Sequence, residues 1–98
     1  MRRGTTPTNT FTVDVDLTTA IAVFVTYKQG DRLLVEKDIG DLDITATKVE
    51  VALSQEDTLA FAQGSVQIQI RAKFGDGAAI ASNIIVAPVD QILKDGVI

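Results

Sequence analysis

The chain has 98 residues, 46% of them apolar and 22% charged, with a formal net charge of −4. That length holds one core and not two, and the balance fits a packed domain and excludes a disordered tail. The absence of cysteine and histidine excludes disulfides, imidazole-activated nucleophiles and imidazole metal sites, and the acidic balance argues against a general nucleic-acid binder.

The polar run "RRGTTPTNT", residues 2–10, predicts a leader arm over residues 1–9. Arg2-Arg3 is followed by that polar run and not by an apolar h-region, so no signal peptide is expected. "TFTVDVDL" then alternates, with Phe11, Val13, Val15 and Leu17 on one face and Thr12, Asp14 and Asp16 on the other, as in a half-buried strand. "AIAVFVTYK" is apolar on nearly both faces, which predicts a strand inside a sheet. Gln29, Gly30 and Asp31 make a loop leading to "DRLLVEKDI", so the two segments read as a hairpin.

Further along, "ITATKVEVAL" places Val49, Val51 and Leu53 inward and Lys48, Glu50 and Ala52 outward. Between it and the next strand lies "LSQEDTLAF". Ser54 suits an N-cap, and Asp57 three residues on completes a capping box with aspartate in place of glutamate. Glu56 and Asp57 then sit where a helix N-terminus favours negative charge, and Leu59 and Phe61 turn back to close the core. These carboxylates are adjacent on one turn and point apart, so they are a poor general acid/base pair. The expectation is a structural corner at Ser54, Asp57, Leu59 and Phe61.

"SVQIQIRAKF" has Val66, Ile68, Ile70, Ala72 and Phe74 on one face and Gln67, Gln69, Arg71 and Lys73 on the other. "GDG" at 75–77 predicts a hairpin turn into "AAIASNIIVAPV", read as one long last strand, which Pro88 ends or confines to a sheet edge. The C-terminal tail, 89–98, has room for one helical turn before Gly96. Six or seven strands spaced by about 8–12 residues predict an all-β, immunoglobulin-like antiparallel β-sandwich, a single domain over 1–98 with one short helical turn near 54–61. No apolar run is long enough for a membrane span.

Oxygen-only calcium ligation has raw material in Asp14 and Asp16 on one strand face and in Asp41, Asp43 and Asp76 near turns, but no EF-hand spacing. No catalytic, cofactor-binding or metal set is assigned, and no enzyme activity is expected. The polar row Gln67, Gln69 and Arg71, the arm residues Arg2 and Arg3, and the terminal Val97 and Ile98 are the candidate partner contacts. Open sheet edges also allow a homo-oligomer.

Four stretches, "RRGTTPT" with "TF" soon after it, "VTYKQ", "LSQEDTLAF" with "VQIQIR" beyond it, and "ILKDGVI", together resemble a small family of phage and prophage proteins of Gram-positive gut bacteria. Its members are encoded among tail and baseplate genes. The chain is also similar to the N-terminal domain of phage baseplate upper proteins, in which an immunoglobulin-like sandwich anchors a receptor-binding fibre to the tail. The resemblance covers nearly the whole chain, and its terminal motifs are the most specific. It implies a structural or assembly protein without cofactor, with other tail and baseplate proteins as partners. It implies a location in the virion tail, or in the bacterial cytoplasm during assembly. No coiled-coil stalk or receptor domain follows in this sequence, which leaves fibre anchor, chaperone and accessory subunit as the implied roles. The alternative expectation is a cell-surface-type β-sandwich module that binds carbohydrate or calcium.

Overall fold

The computed structural model describes residues 1–98. The alternating segments form eight strands: β1 (Thr8–Thr12), β2 (Ala22–Gln29), β3 (Arg32–Asp38), β4 (Leu42–Ile44), β5 (Lys48–Ala52), β6 (Gly64–Lys73), β7 (Ala79–Ala81) and β8 (Ile85–Val89). A 3-10 turn, Ile39–Asp41, precedes β4, and one short helix, α1 (Gln55–Leu59), joins β5 to β6. All strand pairs are antiparallel. One sheet has the order β1-β5-β4, and the other runs β3-β2-β6 with β7 and β8 both on the far side of β6. No helix is long and apolar enough to cross a membrane.

The two sheets share one core, a two-layer all-β arrangement compatible with a sandwich. Val49 and Val51 of β5 face Val23, Val25 and Tyr27 of β2 and Val66, Ile68 and Ile70 of β6, all buried. Each such side chain contributes about 1.5–3 kcal/mol through removal of apolar surface from water. β-branched residues dominate because their stiff χ1 suits a pleated face packed on one side. β2 lies between β3 and β6, as its two-faced apolar pattern predicts, and the Gly30 turn uses a positive φ of 59°. A bulge between Tyr27 and Lys28 sets the register of the hairpin's closed end.

Four expectations need correction. The first strand lies earlier than "TFTVDVDL": β1 is Thr8–Thr12, and Val15 is exposed. The Asp16 carboxylate accepts from the Thr18 N–H at 2.9 Å and its hydroxyl at 2.6 Å, a local turn that competes with extension of the strand. Second, residues 1–9 are not a separate arm, since Thr8 and Asn9 belong to β1 and Arg2 bridges Asp90 in parallel. Third, the last strand is broken into β7 and β8 at Ser82. There the Ser82 Oγ accepts from the Ile70 N–H at 3.0 Å, a side chain taking the place of a backbone carbonyl. Fourth, the tail forms no helical turn. The 3-10 turn was not foreseen, although Asp38 and Asp41 close a second capping box there.

Tyr27 is buried, and its hydroxyl has no protein partner. Burial, reinforced by the charge of Asp57, raises its pKa from the ordinary 10.0. Removal of an unpaired buried hydroxyl costs little, so Tyr27→Phe is expected to match or exceed the wild type by up to about 1 kcal/mol at neutral pH. A raised folded pKa gives stability that is full below pH 10 and lost as pH rises, and the variant should not show that alkaline loss. Urea titrations at neutral and alkaline pH check both; a loss above about 1 kcal/mol at neutral pH would contradict the unpaired state.

Candidate interaction surface

The outer face of the larger sheet follows from its register. Phe24 lies opposite Arg71, Thr26 opposite Gln69 and Lys28 opposite Gln67, so strict alternation puts these six residues on one face. Their intervening partners Val23, Val25, Val66, Ile68 and Ile70 are buried. Across β3 the face continues through Asp38, Glu36 and Leu33. At the other edge Val86 lies beside Gln67, and Ile84 lines a shallow groove with Thr26, Lys28, Gln67, Gln69 and Arg71.

Four apolar side chains stand in water on this polar face. Phe24, Leu33, Ile84 and Val86 are 41%, 56%, 58% and 61% exposed. Arg71 and Lys28 form no ion pair, whereas Thr26 donates to Glu36 at 3.1 Å and Gln69 donates to the Ser82 carbonyl at 2.9 Å. The face therefore combines fixed carboxamide and hydroxyl groups, free cations and apolar knobs, the mixture that protein interfaces bury. Gln67, Gln69 and Arg71 are together here, as their spacing required. Phe24 was missed, although alternation between Val23 and Val25 already placed it outward.

Arg2, Arg3, Val97 and Ile98 belong to a different region, near α1. Ser54 Oγ accepts from the Asp57 N–H at 3.1 Å, and Asp57 Oδ2 accepts from the Ser54 N–H at 2.9 Å. Lys37 of β3 reaches the same carboxylate at 2.9 Å. Burial alone would raise the Asp57 pKa, but the Ser54 N–H, Lys37 and the Ser54 side chain outweigh it and hold the carboxyl below its usual range. Glu56 is exposed and shares none of these contacts. Leu59 is half-buried, and Phe61 is buried with its ring centroid 5.7 Å from that of Tyr27.

At the far end of α1, Arg3 donates to the Phe61 carbonyl at 2.6 Å and the Leu59 carbonyl at 3.0 Å, occupying acceptors that a helix end leaves open. Its remaining nitrogen lies 3.8 Å from Asp95. Thr58 donates to the Thr5 carbonyl at 2.8 Å, and Arg2 to the Gln91 carbonyl at 2.8 Å. The Gln55 carboxamide accepts from the Ile98 N–H at 2.9 Å and donates to its carbonyl at 3.1 Å. Both terminal segments are thus fastened to the corner, and Arg3 is engaged internally. The side chains of Val97 and Ile98 remain exposed.

A second concavity, an open cleft of about 710 Å³, lies between the sheets beside residues 12–17 and β7. Asp14 lines it, but no three carboxylates of the chain converge into a cation-binding group, so the calcium alternative has no ligand cluster in this structure. Comparison of the chain with protein-family models, curated proteins and solved structures finds no match in any of the three.

Proposed function

We propose that this protein is a phage-derived structural or assembly subunit of a tail or baseplate, working through protein–protein contact by the outer face of the larger sheet. The observation that carries the contact role is the cluster of Phe24, Leu33, Ile84 and Val86 around unpaired Arg71 and Lys28. Apolar surface of this kind is favourable to bury, and cations among it give a docked partner its orientation. The tail or baseplate setting rests on the sequence resemblance. The proposal includes an immunoglobulin-like fold. It is supported by β1-β5-β4 facing β3-β2-β6-β7/β8 and by a helical turn between β5 and β6 at the end where the chain changes sheets.

The test is the composition of particles. Mass spectrometry of purified tail particles and assembly intermediates from cells expressing the chain should find it in fixed stoichiometry. Arg71→Glu combined with Phe24→Ser should reduce incorporation at least about tenfold, which corresponds to about 1.4 kcal/mol, with the fold intact. Absence of the wild-type chain from both fractions overturns the proposal. The rival reading, a ligand-binding module, draws on the open cleft. It predicts a thermal shift with calcium or a hit on a glycan array, and flat responses in both dismiss it.

A further inference from the structure

The smaller sheet is one strand narrower than the sheet it faces. β1, β5 and β4 lie against a layer four strands wide, since β7 and β8 occupy successive parts of one edge position. Beside the space left by the missing strand, the chain itself extends the β8 edge of the larger sheet. Arg2 bridges Asp90 in parallel, the Asp90 N–H donates to the Met1 carbonyl at 2.7 Å, and the Arg3 N–H donates to the Asp90 carbonyl at 2.9 Å. Met1 also packs against the core, and Asn9 of β1 reaches its sulfur. Residues 1–3 therefore show how an extended segment seats between β1 and the β8 edge.

Followed from Met1 back along β8 towards Ile85, the same line enters the 710 Å³ cleft. Ile70, Ala72, Ile80 and Ile85 line it, together with Val13 and Leu17. Backbone alternation continues as well. Asp90 points its N–H and carbonyl at the arm, so Val86 points its own to the same edge and away from β6, and Ile84 directly precedes the strand. No charged residue lies between Ala78 and Ala87, whereas the β3 edge carries Arg32, Glu36, Lys37 and Asp38 and the β4 edge is only three residues long. Edges are normally protected by charge, brevity or proline, and this one is protected only by its break at Ser82 and by Pro88. Asp14 lines the cleft without an ion-pair partner.

We infer that the cleft takes an extended segment of another polypeptide, added as a strand parallel to β8 and collinear with residues 1–3. Its alternate apolar side chains face Ile80 and Ile85, and a lysine or arginine meets Asp14. Main-chain hydrogen bonds to Val86 and Ile84 supply affinity, and the pockets between the sheets supply selectivity. This surface adjoins the outer face, sharing Ile84 and Val86 through their main chain and not their side chains, and substitutions at Asp14 and Arg71 separate the two.

The probe is a pool of nine-residue peptides with valine or isoleucine at alternate positions and threonine, lysine or glutamate between them, selected on the full chain. Lysine should be enriched over glutamate about tenfold, with preference lost in Asp14→Asn and inverted in Asp14→Lys. Val86→Pro removes only an edge-facing N–H, as the native Pro88 does two residues on, and should abolish selection while the fold persists. Slowed exchange of the Ile84 and Val86 amides on peptide binding provides a readout without substitutions. Arg71→Glu, on the outer face, should leave selection unchanged. No enrichment over the Val86→Pro protein, or enrichment indifferent to Asp14, overturns the inference. So does dimerisation of the wild-type chain that Val86→Pro abolishes, because the occupant is then a second copy.

Discussion

Phe61→Ala is expected to lower the unfolding free energy by about 3–5 kcal/mol, the largest effect of any single truncation proposed for this chain. Phe61 is 1% exposed and packs against Tyr27 with the rings tilted by 31°. Aromatic pairing of this kind adds about 0.5–1.5 kcal/mol to the burial of the ring itself. How much is lost depends on whether the site can collapse, and here the backbone is held on both sides. Arg3 grips the Phe61 carbonyl, and the Gln29 carboxamide accepts from the Ala62 N–H and donates to its carbonyl, both at 2.8 Å. A cavity left by the ring would therefore persist. In a domain whose total stability is about 5–15 kcal/mol, the variant should be close to unfolding at ambient temperature. Urea denaturation followed by circular dichroism measures it. A loss below about 1 kcal/mol would mean that the corner relaxes around the gap and is not the rigid closure described.

What the sequence made legible was what is local or periodic. β2, β5 and β6 carry their alternation over several residues with one face buried, and the Ser54–Asp57 box is complete within four residues. The breaks were harder to see because they arise between distant segments. Ser82 divides β7 from β8 by accepting from the Ile70 N–H, which no pattern within residues 78–89 announces. The first residues look like a free polar arm because their partners, Asp90, Leu59 and Phe61, lie far along the chain. The same limit applies to the candidate surface. Gln67, Gln69 and Arg71 were visible as one row, but Val86 joined them only through pairing with β6 and Ile84 only through the groove it lines beside them. Phe24 was legible in principle, since its buried neighbours fix its direction.

Asp57→Ala should cost about 2–3 kcal/mol, more than loss of an ordinary cap, because the carboxylate carries both its half of the capping box and an ion pair. It closes the capping box by accepting from the Ser54 N–H, and it pairs with Lys37, which ties α1 to the edge strand β3. Lys37 and Asp57 side chains are 22% and 18% exposed, so removal of the carboxylate leaves a partly desolvated ammonium unpaired. Asp57→Asn separates the parts, since the amide oxygen still accepts from Ser54 while the charge is gone. The folded pKa of Asp57 lies below its ordinary 3.8, so the carboxylate's contribution is full above that value and is lost as pH falls through the folded one. The stability gap between the wild type and Asp57→Asn should therefore be constant from neutral pH down to about 5, narrow below 3.8, and vanish at more acid pH. Paired urea titrations across that range decide it. A gap that stays the same at low pH would assign the effect to packing of the side chain and not to the charge at the corner.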